Sequence, residues 1–387
     1  MRLFRKSKRH LNLALQGGGV HGAFTWGVLD KLLDDSDLAV GWISAASAGA
    51  VNAAAVAHGV AHGDMQQARS ALAAIWNGVE RAGVPDLLRL NPILLGLAKA
   101  APIPNMTAFF SPYEFNPVGF DPLRKIINQH IDFEAIRATA AVELLIAATD
   151  VSTGRARLFR RHELTADVIL ASACLPTLHH AVQIDGRYYW DGGFSANPDL
   201  VTLASQSPHR DTLLVQLNPI HKPGAPRGAK SIEDRVNTIT FNQPLVRDIE
   251  TILMAREADT GWGLPKHGRL ARLKAHRFHL IAAGRHTAGL GHDSKVVPDA
   301  ELLTYLHSAG EREAALWLER HKSAVGRRSS IDLRARYFTD EPGPLDPAAE
   351  AQDGADAEHS ASEAPGERAE TAPDTAETAG RPSKAAG

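Results

Sequence analysis

The chain passes from strand to helix through glycine within its first 33 residues, and this passage restricts the folds open to it more than any other feature. Residues 11–22 read LNLALQGGGVHG. The run 11–15 is short and apolar, the pattern of a buried strand. Three successive glycines break it, and 23–33 then carries Phe24, Val28, Leu29 and Leu32 at the spacing of one helix face. A strand, a glycine loop and a helix in that order leave backbone N–H groups aimed at an anion at the helix's positive end. Glycine suits such a loop because the backbone must approach a ligand closely. Further apolar runs at 40–44, 142–148, 212–217 and 278–282 read as strands. Helical patterns lie at 48–60 and near 120–130, 165–173, 231–257 and 300–322. Pro244 should kink or break the fourth of these five, and Ile239, Leu245, Ile249, Ile252 and Leu253 within it read most simply as core, with a lipid- or partner-facing role as the alternative. The alternation predicts an α/β fold with a mostly parallel sheet covered on both faces.

Gly17, Gly19 and Gly22 also satisfy G-x-G-x-x-G, the dinucleotide-binding fingerprint. That reading needs an acidic residue about 20 positions on, at the end of the second strand. Here the strand runs instead into Ala45-Ala46-Ser47-Ala48-Gly49, with no carboxylate. A phosphate-binding loop of the Gly-Lys-Ser/Thr kind is also absent. A serine flanked by small residues between strand and helix is the setting of a nucleophile elbow; taken alone, it equally suits a serine capping the next helix. Serine is a poor nucleophile without a base. Asp191, in YYWDGG at 188–193, is the candidate, since Gly192 and Gly193 leave its loop tight and open. A lone Asp-Gly-Gly is also a common turn.

Taken together, these pieces resemble the patatin-like phospholipases. GGGVHG at 17–22 looks like that family's G-G-G-x-[RKH]-G oxyanion loop, and Ser47 with Gly49 like its elbow. ATDVSTG at 148–154 is similar to its T-D-x-x-T-G strand end, ASACLP at 171–176 to its A-S-x-x-x-P turn, and Asp191-Gly192-Gly193 to its D-G-G. Five motifs in order over 11–200 make the resemblance specific; beyond about 220 it is weaker. It implies a three-layer α/β/α fold and a Ser–Asp dyad. Ser47 would be the nucleophile and Asp191 the proton acceptor. Gly17, Gly18, Gly19, Gly22 and Ala48 would form the oxyanion hole, with N–H groups of Gly18, Gly19 and Ala48 as donors. Gly49, Gly192 and Gly193 would support the elbow and the aspartate loop. No metal or other cofactor is implied, and the substrates would be carboxylic esters of phospholipids or related lipids. Ala45 departs from the family's G-x-S-x-G, but it adds only a methyl group where a small residue is needed and is expected to be tolerated. A thioesterase or polyester depolymerase with the same dyad, or a degenerate lipid-binding protein, are the alternatives.

Several other residues invite a role. His179 and His180 follow Pro176 but are expected to line the loop rather than complete a triad. His21 could face a phosphate head group or only pack. Asp150 should hydrogen-bond backbone, and Cys174 should be a buried small residue. His58 and His62 stand four apart without a third ligand in view, so no metal site is expected there.

The single cysteine excludes an intrachain disulfide and a cysteine-held zinc. Residues 340–387 hold twelve acids and three bases, a net of −9 within the overall −2, which leaves +7 on 1–339. Five of the first ten residues are Arg or Lys; such a basic end can sit near anionic lipid or nucleic acid, but is more simply a solvated terminus, and no nucleic-acid partner is expected. The expected organisation is a basic segment at 1–10, one hydrolase domain at 11–338 (motif core 11–200, helical part 220–330) and a disordered acidic tail at 339–387, which lacks the apolar residues to fold. The region 85–117, rich in Leu, Pro and Phe, could cap the site. No stretch is long and apolar enough to span a bilayer, and 11–15 is too short for a signal peptide. The chain is expected in the cytoplasm, with room for peripheral membrane contact; its oligomeric state is open.

Overall fold

The computed structural model describes residues 8–89, 111–116, 119, 121–258 and 268–339. These lie in the first of two units, Met1–Pro342. Most of the cap region 85–117 and all but Thr339 of the expected acidic tail fall outside the described residues, as does most of the basic segment 1–10.

The central sheet has eight strands: β1 Arg9–Leu15, β2 Leu38–Ala46, β3 Leu144–Asp150, β4 Ala156–Arg160, β5 Val182–Ile184, β6 Arg187–Asp191, β7 Asp211–Gln216 and β8 Arg277–Ala282. Their order is β5-β6-β3-β2-β1-β7-β8, with β4 also paired to β3. The core β3-β2-β1-β7-β8 is parallel throughout. The helices used below are α1 Gly22–Leu33, α2 Ala48–His62, α3 Met65–Arg89, α4 Pro122–His130, α5 Phe133–Ala138, α6 Ala166–Ser172, α7 Leu200–Gln206, α8 Ala229–Glu257, α9 Arg269–Ala275, α10 Ala300–His321 and α11 Leu333–Tyr337.

Alternation along the strands sorts the apolar side chains onto two faces. Leu11, Leu13 and Leu15 of β1, with Leu213 and Val215 of β7, pack under α1, α2, α6 and α10. Ala14, Leu214, Phe278 and Leu280 point the other way, against α7, α8, α9 and α11. The result is an α/β/α sandwich whose strands are buried on both sides, as parallel strands must be. Each large side chain in these layers contributes on the order of 2–5 kcal/mol against truncation to alanine.

Three strands depart from the sequence reading, because β4, β5 and β6 were not expected. They are antiparallel additions at one end of the sheet. β4 (ARLFR) and β6 (RYYWD) carry arginines and exposed residues, so they lack the apolar run that marks a central strand. The expected break at Pro244 does not occur. α8 runs unbroken from Ala229 to Glu257, and Phe241, Leu245, Ile249 and Ile252 hold it against the sheet on both sides of the proline. Of the five α8 residues read as core, Ile239 is exposed and Leu253 only half-buried.

Candidate active site

β2 ends at Ala46 and α2 begins at Ala48, leaving one residue to reverse the chain. That residue is Ser47, with φ 53° and ψ −129°. Among the described residues, only Asp185 is another non-glycine with positive φ. A conformation of this kind costs about 1–3 kcal/mol and persists only where its surroundings enforce it. The enforcement is visible. The Ser47 N–H donates to Ser172 Oγ at 2.9 Å, and the Ser47 carbonyl accepts from Ala50 and Val51 at 2.8 and 3.2 Å. A Cβ on Gly49 would run into the Leu15 carbonyl, so only glycine lets α2 start this close to β1. Ala45 is fully buried in β2, paired with Leu15 and Ile146. Its methyl group is accommodated and the sharp turn two residues later is kept.

The sheet register brings Asp191 to the serine. β4 occupies one edge of β3 from Leu145 to Thr149. β2 occupies the other as far as Ala46↔Ala147. At Ala148 that second edge passes to β6, through Ala148↔Asp191. The aspartate therefore enters the ladder at the step where β2 leaves it for the elbow. Gly192 and Gly193 permit the turn that follows: a Cβ on the first would strike the Ala147 carbonyl, and one on the second would lie 2.5 Å from the Phe241 ring.

Asp191 is fully buried. Its N–H donates to the Cys174 carbonyl at 2.8 Å, its carbonyl accepts from Thr149 Oγ1 at 2.7 Å, and Oδ1 accepts the Gly193 N–H at 2.7 Å. Oδ2 has no well-formed hydrogen bond. Desolvation pushes the carboxyl up to about 7, against the opposing pull of the Ser47 hydroxyl and the Gly193 N–H. The Ser47 hydroxyl is thus near enough to favour the charged carboxylate without the alignment of a finished hydrogen bond, which is common in sites without substrate.

The glycine loop lies beside this pair. Gly17 packs so closely that an added Cβ would sit 2.6 Å from Ser47 Cβ. Its N–H is given to Asn197 Oδ1 at 2.7 Å, and the Gly22 N–H goes to carbonyls of Gly19 and Val20. These two glycines shape the loop and have no N–H to offer a ligand. Gly18, Gly19 and Ala48 keep theirs: no acceptor engages them among the described residues. The amino ends of α1 and α2 point into the same space and add partial positive charge.

Distant residues brace the loop. Gln16 Oε1 accepts the N–H groups of Leu217 and Asn218, both at 2.8 Å. Asn218 Nδ2 donates to the Gly17 carbonyl at 3.3 Å. Lys295 Nζ donates to Asn218 Oδ1 at 2.6 Å, and the Lys295 carbonyl lies against Gly19, whose φ is +57°. Burial lowers the Lys295 ammonium to about 8. His21 is buried, with Nε2 on Ser294 Oγ at 2.8 Å. Asn197, Asn218 and Lys295 carried no signal in the sequence. Ser172 did, since it is the serine of the A-S-x-x-x-P turn.

The remaining candidates fall elsewhere. Asp150 is saturated by Ser152, Thr153 and Arg187, and those donors, Ser152 foremost, hold it well below the usual carboxylate range. His180 is stacked on Tyr113 and bonded to the Pro112 carbonyl. His179 is half-buried, and desolvation lowers its pKa. His58 and His62 both meet Asp132. Burial raises the Cys174 thiol to about 12. One group elsewhere, Asp30 with His307 and Glu311, brings metal-ligand atoms within 4.8 Å. Its two carboxylates meet opposite nitrogens of the imidazole, and Arg69 already pairs with Asp30 at 3.7 Å, which is the arrangement of an ion-pair network.

The model of the patatin-like phospholipases matches residues 13–204, a span that includes the glycine loop, the elbow serine and the Asp191 loop. No curated protein matches the chain. Among solved structures, VipD from Legionella pneumophila is similar at 16% identity and a TM-score of 0.40, over 82% of this chain and 68% of that one. Through residues 13–204 the chain belongs to the patatin-like phospholipase family, whose general activity is lipid acyl hydrolysis.

Proposed function

We propose that the protein cleaves carboxylic esters of phospholipids or related lipids through a Ser47–Asp191 dyad. One observation carries this reading. A serine held at φ 53° on a strand-to-helix elbow adjoins a fully buried carboxylate with one oxygen left unbonded. Asp191 takes the hydroxyl proton as Ser47 Oγ attacks the ester carbonyl. Charge develops on the carbonyl oxygen, where the N–H groups of Gly18, Gly19 and Ala48 meet it; losing one such donor typically costs about 10²–10³ in rate. The protonated Asp191 then gives its proton to the departing alcohol, and an acyl-Ser47 ester remains. In the second half Asp191 takes a proton from water as the water oxygen attacks the acyl group, then returns it to Ser47 Oγ as the acyl–oxygen bond breaks, which frees the carboxylic acid and restores both side chains. Each step uses this chain's own groups. The proposal extends to a single hydrolase domain over 11–338, working in the cytoplasm and in peripheral contact with membrane.

The test pairs hydrolysis of a short p-nitrophenyl ester with labelling by a fluorophosphonate probe. Wild type should turn over the ester and accept the label, and Ser47→Ala should do neither while keeping its circular dichroism spectrum. Activity in Ser47→Ala would refute the dyad. Failure of the wild type to take the label would point to a degenerate, lipid-binding site.

A further inference from the structure

β2 and β7 are both parallel to β1, so the ends that carry Ser47 and Gln216 lie along one edge of the sheet. α8 follows β7 through 217–228, and its first turns therefore start at the edge that bears the dyad. Those turns present an unusual surface. Ile232, Val236 and Ile239 are 45%, 57% and 43% exposed. Spacings of four and three residues put them in one line on the helix. The opposite side of α8 buries Phe241, Leu245, Ile249 and Ile252. Thr240 adds no free polarity, because its hydroxyl is bonded to the Val236 carbonyl at 2.9 Å.

Single exposed apolar residues are ordinary, but this line is continuous and it ends abruptly. The same face goes on as Gln243, Arg247 and Glu250, all exposed and polar. Met254, 60% exposed, lies alone near the far end of α8, so three of the four exposed large apolar side chains on the helix stand at the end nearest the site. β-branched residues are also mediocre helix formers, so neither helix propensity nor the core accounts for them. Other exposed large side chains share this edge. Val297 follows β8, and Tyr188 lies just beyond the Asp150↔Tyr189 pair at the end of β3. The flanking chain is cationic: Lys222, Arg227, Lys230 and Arg235 stand against Glu233 and Asp234. Two residues past Ile239, Phe241 abuts Gly193 and its carbonyl accepts from Asn197 at 2.9 Å, so the helix is joined directly to the aspartate loop.

We infer that this edge docks on an anionic phospholipid bilayer, with Ile232, Val236 and Ile239 entering the headgroup layer and the surrounding lysines and arginines meeting lipid phosphates. A helix with an apolar face and a cationic flank binds such interfaces through both contributions. The inference takes its orientation from the proposed lipid hydrolysis, since it turns the dyad toward the substrate-bearing surface.

The experiment uses the full chain as Ser47→Ala, so that no lipid is consumed. Sedimentation is measured with phosphatidylcholine vesicles, with and without phosphatidylglycerol. Ile232→Ser, Val236→Ser and Ile239→Ser combined should weaken partitioning about tenfold or more, and binding should favour the anionic vesicles. Restored to Ser47, the triple variant should hydrolyse a soluble short ester at the wild-type rate and vesicle lipid far more slowly. Partitioning unchanged by the triple substitution overturns the inference. If the triple variant fails to fold, Val236→Glu alone, at the most exposed of the three positions, gives the same reading. Vesicle binding by a wild type that hydrolyses no ester would refute the catalytic proposal and leave the docking surface standing.

Discussion

Two carboxylates sit two register steps apart at one corner of the sheet, and their settings are opposed. Asp150 closes β3 and Asp191 closes β6, and both are nearly inaccessible, at 5% and 0% exposure. Asp150 collects the N–H and hydroxyl groups of Ser152 and Thr153 on one oxygen and Arg187 on the other. Asp191 has one formed hydrogen bond, from the Gly193 N–H, its second oxygen is unbonded, and the nearby Ser47 hydroxyl favours its charged form. Their pKa values move in opposite directions accordingly, the first down and the second up. Burial alone therefore does not decide what a carboxylate becomes. The number of donors supplied to it decides whether it is a permanent anion holding a turn or a base free to accept a proton.

The sharpest way to break this contrast is Asp191→Asn. Ester turnover should fall on the order of 10⁴-fold, as when an acid–base partner is made neutral without changing its shape. The same change should raise stability above pH 7. Because the folded pKa of Asp191 lies above its unfolded value, the folded state holds the extra proton between about pH 4 and 7, and stability from this group declines as pH rises through that window. The amide avoids a buried charge worth about 2–4 kcal/mol at neutral pH. A variant that is inactive and also less stable in a thermal melt at pH 8 would contradict this account.

A wild-type profile of kcat/KM against pH should show an acid limb with a midpoint near 7, where the base becomes ionised. A flat profile from pH 5 to 8 would remove Asp191 as the base. Asn197→Ala comes next in size. It leaves the Gly17 N–H and the Phe241 carbonyl without their partner, at a cost of about 1–3 kcal/mol in stability. By letting the donor loop shift it should cut turnover roughly ten- to hundredfold. Denaturant melts and steady-state kinetics report the two effects separately. Asp150→Asn should have the smallest effect on rate, less than about tenfold, with a lower Tm at neutral pH. Its depressed pKa makes its contribution present above the unfolded carboxylate value and lost as pH falls, so wild type and variant should converge in acid. A large catalytic defect with no change in Tm would erase the distinction between the two aspartates.

The parts legible in the sequence are those with local causes. The parallel strands announce themselves by short apolar runs, and Ser47 and Asp191 by the small residues that their turns require. What escaped is long-range or atypical. β4 and β6 are edge additions whose arginines and tyrosines look like loop. Asn197, Asn218 and Lys295 act on the glycine loop across 180, 201 and more than 270 positions, and nothing beside them in the chain signals it. The division of labour within the loop was hidden for the same reason, because Asn197 determines that Gly17 is structural while Gly18 and Gly19 keep their N–H groups. Ile239 was read as core because its apolarity suits burial as well as an interface.

The handover from β2 to β6 along one edge of β3 means that the spacing of Ser47 and Asp191 is carried by rungs of a backbone ladder, not by the chain that joins them. The 63–143 stretch between α2 and β3 can then lengthen, shorten or exchange its surface helices over evolutionary time while the two side chains of the proposed dyad stay in step. Such a scaffold separates the part of the molecule free to diversify toward new esters from the part that must stay constant to cleave any of them.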